Sequence, residues 1–248
     1  MGGMEGYNPI GGNPNRQQGA GELNENFDIG RVTRTRAEAQ ATYDRISKWY
    51  DLLEGRWERK LKDVGLRKLG VHEGEVVLEI GFGTGYGMLA LARSVGATGR
   101  VYGIDLSPKM IEITRERVGK NGLESRVEFI QGDALQLPFQ TDFFDAAFMS
   151  FVLELFDTPE IPKVLRECLR VLRVSGRICV VSLSKMGGPS RMRRLYEWGH
   201  RVFPRILDCR PIYVERALRE AGFAVSDATI GSVAGLPVEV VLATKPGQ

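Results

Sequence analysis

Glycines at alternating positions in residues 81–87 are the part of this sequence with the clearest chemical use. They follow the apolar run 76–80, and apolar residues at helical spacing come next. Because glycine lacks a Cβ, the backbone can turn with positive φ there and approach a ligand closely. The N–H groups at the helix start favour electron-rich oxygen. Asp105 ends the next strand, where a carboxylate accepts both hydroxyls of a ribose, so the segment predicts a nucleotide-binding βαβ unit.

The spacing of the glycines narrows the choice of nucleotide. Dinucleotide-binding turns read G-x-G-x-x-G/A, whereas this turn reads G-x-G-x-G and has Tyr86 at the third small position. The sequence contains no G-x-x-x-x-G-K-[ST], which excludes a P-loop. A nicotinamide-dependent oxidoreductase stays an alternative, although Tyr86 and the lack of a Tyr-x-x-x-Lys pair argue against it.

Three acidic positions accompany the glycine turn along the chain. Glu79 precedes the glycines, Asp105 follows the second strand, and residues 132–139 read GDALQLPF after the third. This arrangement resembles the first motifs of the class I S-adenosylmethionine-dependent methyltransferases. With the Tyr-Asp doublets at 43 and 50, it is most similar to the ubiquinone/menaquinone-biosynthesis (UbiE-type, methyltransferase type 11) subfamily. The resemblance covers residues 40–245 and implies S-adenosyl-L-methionine as the cofactor.

The loops after the first four strands are expected to hold that cofactor, since ligands of open α/β sheets bind beyond the carboxyl ends of the strands. The resemblance implies that Asp105 holds the ribose, that Asp133 accepts the adenine amine and that the Ala134 N–H serves a ring nitrogen. Met149 and Ser150 are expected to face the methyl donor. The predicted cofactor-binding residues are Glu79, Gly81, Phe82, Gly83, Gly85, Asp105, Leu106, Asp133, Ala134, Met149, Ser150, Tyr43 and Tyr50.

Alternating strand and helix patterns predict an α/β protein. The resemblance implies a Rossmann-like seven-stranded sheet in the order 3-2-1-4-5-7-6, with strand 7 antiparallel and helices on both faces. The predicted strands span residues 76–80, 100–104, 127–130, 144–151, 178–183, 223–230 and 238–244. Residues 172–177 resemble the family's turn before strand five, with Val174-Ser175 in place of the usual Pro-Gly.

Two segments precede the methyltransferase domain, which is predicted over residues 71–248. Residues 1–33 are rich in Gly and Asn with few aliphatic side chains, so they are expected to be disordered. Residues 34–70 carry apolar residues at helical spacing and are predicted to form a helical lid. Tyr43 and Tyr50 share one helix face, where they either pack on the core or reach the cofactor or substrate. In the second case they are candidate catalytic residues.

A basic insertion is predicted over residues 185–210. Arginines there alternate with aromatic and aliphatic residues, which indicates a basic amphipathic helix. This helix is expected to cap the substrate site, either as a solvated cap or as a peripheral contact with an anionic membrane. His200 is a candidate base within it, although a lone histidine there is more often a surface residue. Otherwise the catalytic residues are left open, because methyl transfer from a sulfonium needs a base only where the nucleophile carries a proton.

Composition restricts the class of protein. The 248 residues are 43% hydrophobic and 26% charged, as in a soluble globular domain, and a net charge of +3 gives no argument for nucleic acid. The three cysteines form neither a C-x-x-C pair nor a metal-ligand spacing, so no metal site is predicted. The same cysteine usage predicts a cytoplasmic location. No Asn/Asp-Pro-Pro-Tyr motif follows strand four and no cysteine follows a proline, which excludes the common base methyltransferases.

The sequence therefore predicts a methyltransferase that acts on a small or lipid-like acceptor. Quinone-type C-methylation and phospholipid N-methylation are the reactions that the resemblance favours. An NAD(P)-dependent oxidoreductase and a non-catalytic adenosyl-binding protein are the alternatives. The acceptor atom and the oligomeric state are left open by the sequence.

Overall fold

A computed structural model describes residues 35–46, 56–186 and 210–247 of the chain. The strands are β1 (Val76–Ile80), β2 (Arg100–Asp105), β3 (Val127–Gln131), β4 (Phe144–Ser150), β5 (Leu172–Leu183), β6 (Ala224–Val233) and β7 (Leu236–Thr244). The α-helices are α1 (Arg36–Ile46), α2 (Arg56–Leu69), α3 (Tyr86–Ser94), α4 (Pro108–Lys120), α5 (Ile161–Val171) and α6 (Val214–Glu220).

The described strands form one sheet in the order β3-β2-β1-β4-β5-β7-β6. Strands β1 to β5 pair in parallel with one another, and β7 runs antiparallel to both β5 and β6. The predicted α/β fold and strand order are confirmed. In this topology the carboxyl ends of β1, β2, β3 and β4 meet at one edge of the sheet, where a ligand site is expected.

The inner strands β1, β4, β5 and β7 are largely buried on both faces, which explains their nearly continuous apolar sequences. Neighbouring residues point to opposite faces, so Leu78 packs in one core with α5 and α6, and Val77 packs in a second core with α2, α3 and α4. The thiols of Cys168 and Cys179 are fully buried, one in each core. Burial raises the pKa of both to about 12, so neither is a thiolate at neutral pH.

Helix α2 lies within residues 34–70, which the sequence predicts to be a helical lid, and its position differs from that prediction. It packs on β4, β5, β6 and β7, and a Cβ on Gly65 would lie 2.6 Å from Val181 Cγ2 and 3.0 Å from Phe148 Cε2. The missing side chain at Gly65 thus allows the helix to approach the sheet closely. Residues 56–69 therefore form a layer of the sheet, and their apolar periodicity reflects burial in the core rather than a cover over the site.

The segment before strand five is part of β5, which begins at Leu172 instead of the predicted Ile178. Its pairing with β4 shifts between Phe144 and Ala146, so the extra residues are accommodated as a bulge. Ser175 adopts φ 64°, and its N–H donates to Lys245 O at 3.0 Å. The serine that replaces the usual glycine thus occupies a backbone region that costs energy for a residue with a Cβ.

We expect Ser175→Gly to raise the free energy of unfolding by about 1 kcal/mol, because glycine adopts positive φ without the Cβ penalty. Denaturant unfolding monitored by circular dichroism measures the change. Val174→Gly is the matched control: Val174 is exposed and lies outside the positive-φ residues, so glycine there should lower stability. An unchanged or lower stability for Ser175→Gly would show that this φ carries no strain.

Other predicted segments lie outside the described residues. These are the tail over residues 1–33, Tyr50, and the basic insertion except for residues 185, 186 and 210. Among the helices that the structure describes, none is both long and apolar enough to cross a membrane.

Candidate functional site

An open cleft lies at the carboxyl ends of β1 to β4. The predicted cofactor-binding residues that line it are Gly81, Phe82, Gly83, Asp105, Leu106, Asp133, Ala134 and Ser150. The topology therefore brings most of the predicted site together from four separate loops.

The glycine turn forms the floor of the cleft. Gly81, Gly83 and Gly85 adopt φ 64°, 52° and 87°, a region that glycine enters without strain. Gly85 is the N-cap of α3, and no side chain caps this helix. The start of α3 therefore lies at the turn, and helix N-termini of this kind can bind anions.

Asp105 is fixed beside the glycine turn by backbone donors. Its Oδ2 accepts the Gly83 N–H at 3.0 Å and its Oδ1 accepts the Ser107 N–H at 2.9 Å. Burial is the main cause that raises the pKa of this carboxyl to about 6; the Ser107 and Gly83 N–H groups oppose it, and the nearby Asp44 adds to it. A carboxylate offers about four lone-pair sites, so both oxygens keep capacity for the hydroxyls of a ribose.

Ser107 links this acid to the N-terminal helix. Its Oγ accepts the Met110 N–H at 3.1 Å as the N-cap of α4, and its hydroxyl donates to Asp44 Oδ1 on α1. Ser107, with Pro108 at the first position of the helix, thus starts α4 and also binds α1. Helix α1 therefore lies next to Asp105.

Ser107→Ala should lower the free energy of unfolding by about 1 kcal/mol, because it removes the cap of α4. Thermal or urea unfolding gives the value. Asp44→Ala is the matched control, since it removes the contact with α1 but keeps the cap, and it should cost less. Equal losses for the two variants would assign the whole effect to the contact between α1 and α4.

The loop after β3 forms the wall on the other side of Asp105. Asp133 Oδ1 accepts the Leu135 N–H at 3.0 Å, and the Asp133 carbonyl accepts the Gln136 N–H at 3.1 Å. A Cβ on Gly132 would lie 2.9 Å from Ile104 Cδ1, so this loop passes close to the end of β2. Asp133 and Ala134 both line the cleft, and their contact with adenine stays a prediction.

Two predicted residues are placed away from the cleft. Met149 is fully buried in the core, because side chains alternate along β4 and only the next residue, Ser150, faces the site. Glu79 is 2% exposed and lies beneath the start of α3, where a Cβ on Gly87 would come within 2.8 Å of its Cδ. These two predictions of direct lining are corrected.

The remaining predicted residues have other positions. Gly85 acts through the N-cap of α3 rather than as a wall. Tyr43 belongs to α1, and nothing is described of its side chain. Tyr50 and His200 lie outside the described residues, so the catalytic candidates stay predictions.

The structure adds residues that the sequence did not single out. They come from α2, from the glycine turn and from the segment after β4: Lys62, Thr84, Tyr86, Phe151, Val152, Leu155 and Phe156. Tyr86 OH donates to Asp63 Oδ1 at 2.7 Å, which ties α2 to the start of α3. For Phe151, Val152, Leu155 and Phe156, the only signal in the sequence was their place directly after strand four.

The segment after β4 forms an apolar wall of the cleft, made by Phe151, Val152, Leu155 and Phe156, and its backbone is strained at Phe151. Phe151 adopts φ 55°, and its N–H donates to Val181 O at 2.7 Å. Such a conformation is costly for an aromatic residue and is concentrated at functional sites. It turns the chain so that Val152 lies over Gly81, where a Cβ would be 2.8 Å from Val152 Cγ1.

A fully buried carboxyl supports this wall. Glu154 belongs to the helical turn Leu153–Leu155, and its Oε1 accepts the Leu183 N–H at 3.2 Å. Burial is the largest cause that raises the pKa of Glu154 to about 7, and the nearby Glu58 acts in the same direction. Glu154 thus joins the segment after β4 to the end of β5 and changes its protonation near neutral pH.

Comparison with known proteins places the chain among methyl-transferring proteins. A family model described as a methyltransferase domain matches residues 77–176. The chain is 30% identical over 166 residues to the 2-phytyl-1,4-naphtoquinone methyltransferase of Trichormus variabilis. The aligned region covers 65% of this chain and 71% of that protein. It is 36% identical over 149 residues to the ubiquinone/menaquinone biosynthesis C-methyltransferase UbiE of Ectopseudomonas mendocina, covering 60% of this chain and 56% of that protein.

A solved structure with the same fold shows that the fold itself allows more than one reaction. The [4+2]-cyclase SpnF aligns with a TM-score of 0.72 and 22% identity, covering 88% of this chain and all of that one. A likeness at this identity establishes the fold alone. The site and the closer sequence relatives must therefore carry any statement on the reaction.

Proposed function

We propose that this chain, which belongs to the class I S-adenosylmethionine-dependent methyltransferases, methylates a ring carbon of an apolar quinone-type acceptor. The observation that carries the proposal is the cleft, which joins a ribose-binding acid, Asp105, to an apolar wall at its other end. The relatives named above are, by their names, a 2-phytyl-1,4-naphtoquinone methyltransferase and a C-methyltransferase of ubiquinone/menaquinone biosynthesis.

The residues present fit the cofactor. Asp105 has two oxygens held in place by backbone N–H groups, and Gly81 and Gly83, which carry no side chains of their own, form the cleft floor. Asp105 would hold the ribose, and Asp133 with the Ala134 N–H would hold the adenine. When bound, S-adenosyl-L-methionine supplies an electrophilic methyl group.

The protein's contribution is mainly positioning. The leaving thioether is neutral, so no acid has to protonate it, and alignment of the acceptor with the methyl group supplies much of the rate. Ser150 and Phe151 lie where the methyl group is expected, at the carboxyl end of β4. The apolar wall excludes water from that end of the cleft.

The apolar wall also favours a flat, apolar acceptor over a charged headgroup. Phe151, Val152, Leu155 and Phe156 follow one another after β4 and line the same end of the cleft. Burial of an aromatic ring against such side chains is favourable by about 25 cal/mol per Å² of apolar surface. A zwitterionic phospholipid headgroup gains nothing comparable there.

The test is a methylation assay with a reduced 1,4-naphthoquinol that carries an isoprenoid chain, read by mass spectrometry of the product. Wild-type protein should give a ring-methylated product that depends on S-adenosyl-L-methionine, and Asp105→Ala should not. Methyl transfer to phosphatidylethanolamine vesicles but not to the quinol would contradict the proposal. Cofactor-free conversion, or tighter binding of NADH than of S-adenosylhomocysteine, would contradict the reaction class.

Peripheral membrane contact is a separate part of the proposal. Long-chain quinones reside in bilayers, and the basic insertion over residues 185–210 suits an anionic surface. Co-sedimentation with vesicles that contain phosphatidylglycerol should fall with added salt if this contact forms. Equal binding to neutral vesicles would contradict an electrostatic contact.

A further inference from the structure

The charged residues that line the cleft are unevenly distributed. Asp105 and Asp133 follow β2 and β3, and Lys62 of α2 is the one cationic side chain among the described residues of the lining. Lys62 is 9% exposed, so most of its stem and head lies within the protein. Lys62 therefore gives this part of the cleft wall a positive charge, which attracts an anionic group of a ligand.

Contacts of α2 place this lysine at the apolar end. Its Nζ lies 5.9 Å from the centroid of the Phe151 ring, one residue beyond the end of β4. Gly65, one turn further along α2, lies close to Val181 of β5. This contact holds the helix over this part of the sheet. Strand β4 is three strand spacings, about 14 Å, from β3. The ammonium group thus lies away from the adenine side of the cleft.

We propose that Lys62 binds the ionised hydroxyl of the acceptor and so makes the neighbouring ring carbon nucleophilic. The proposal rests on the proposed function, since it names the group of a quinol-type acceptor that the site recognises. An ammonium group attracts an oxyanion more strongly beside apolar side chains than in water, because the local dielectric constant is lower. Positive charge placed in advance also stabilises the charge that the reaction requires.

The step balances as a substitution of ring hydrogen by methyl. The quinol hydroxyl releases its proton to solvent and becomes an oxyanion paired with the Lys62 ammonium. A ring electron pair forms the bond to the methyl carbon, and the carbon–sulfur pair stays with sulfur as the neutral thioether. The ring carbon then loses its hydrogen as a proton, which restores the aromatic ring. No oxidant or reductant is consumed.

The experiment compares two ligands that differ in charge. The probes are 2-hydroxy-1,4-naphthoquinone, which carries a ring oxyanion at neutral pH, and uncharged 1,4-naphthoquinone. Each is titrated into the full chain with S-adenosylhomocysteine present, using wild type, Lys62→Met and Lys62→Arg. Lys62→Met keeps an apolar stem and removes the charge. Lys60→Met is the matched control, because Lys60 is exposed on the same helix.

We expect Lys62→Met to weaken binding of the ionised probe by ~10-fold or more, as for loss of one charge-assisted contact. Binding of the uncharged probe should change by less than about twofold on the same grounds. Lys62→Arg should retain most of the affinity for the ionised probe, and Lys60→Met should match wild type.

Three outcomes would overturn the proposal. The first is an equal effect of Lys62→Met on the binding of both probes, which indicates a structural role. The second is no effect of Lys62→Met on binding of the ionised probe, and a wild type that binds neither probe counts as this outcome. The third is a loss of affinity for S-adenosylhomocysteine without a loss for 5′-methylthioadenosine, which would assign Lys62 to the cofactor carboxylate. Failure of the proposed function is distinct, since it appears as wild type that binds the probes without methylating the naphthoquinol.

Discussion

Asp105→Ala is expected to weaken S-adenosylhomocysteine binding by ~100-fold or more, because two hydrogen bonds from ribose hydroxyls to a carboxylate are lost. The carboxylate is partly buried and is held on both oxygens by the N–H groups of Gly83 and Ser107. The same substitution also frees the Gly83 N–H and loosens the glycine turn. Isothermal titration calorimetry of the wild type and the variant measures the change.

The controls separate this contact from a general effect of charge. Asp227→Ala removes an acid that lies on β6, far from the cleft, and should leave cofactor affinity unchanged. Asp105→Asn keeps the shape and one acceptor oxygen, so it should fall between wild type and Asp105→Ala. Wild-type affinity in Asp105→Ala would contradict the ribose contact and, with it, the proposed orientation of the cofactor in the cleft.

The pKa of Asp105 adds a pH dependence to the same prediction. Burial raises the pKa of Asp105 to about 6, and ribose hydroxyls donate more strongly to the ionised carboxylate than to the neutral acid. Affinity should therefore change little well above pH 6 and fall by up to about tenfold per pH unit below it, where binding releases a proton. Calorimetry in buffers of different ionisation enthalpy detects that proton. Asp105→Asn should lose this dependence.

The parts of the fold that the sequence predicted depend on local patterns. The alternation of glycines after an apolar run requires a tight turn, and Asp105 at the end of the next strand must lie at the same sheet edge. The turn Gly132-Asp133 follows the third strand and reaches that edge for the same reason. Strand order was available only through resemblance, since no local pattern states which strands are neighbours.

The parts that the sequence did not predict depend on long-range packing. Lys62 belongs to an amphipathic helix, where charged residues usually face solvent, and the packing of α2 on the sheet turns it toward the cleft. Met149 and Ser150 are adjacent, and which of them faces the site follows from the register of β4 with β1. Glu79 has the expected motif position but lies under α3, because Gly87 leaves room for it there.

Gly81→Ala is expected to lower the free energy of unfolding by about 3 kcal/mol, the sum of a backbone and a packing cost. At φ 64° a Cβ costs about 1 kcal/mol or more, and here it would also lie 2.8 Å from Val152 Cγ1. Because Val152 cannot move without shifting the wall after Phe151, cofactor affinity should fall with stability. Urea unfolding and calorimetry measure the two effects.

Gly122→Ala isolates the backbone cost, because Gly122 has the same φ of 64° and a Cβ there would meet nothing within 4 Å. It should cost about 1 kcal/mol, the backbone term alone. Val152→Ala combined with Gly81→Ala should recover part of the loss, since the smaller side chain gives room to the new Cβ. Equal costs for Gly81→Ala and Gly122→Ala would show that the glycine is required for its backbone conformation alone. The close approach of Val152 would then have no part in shaping the cleft.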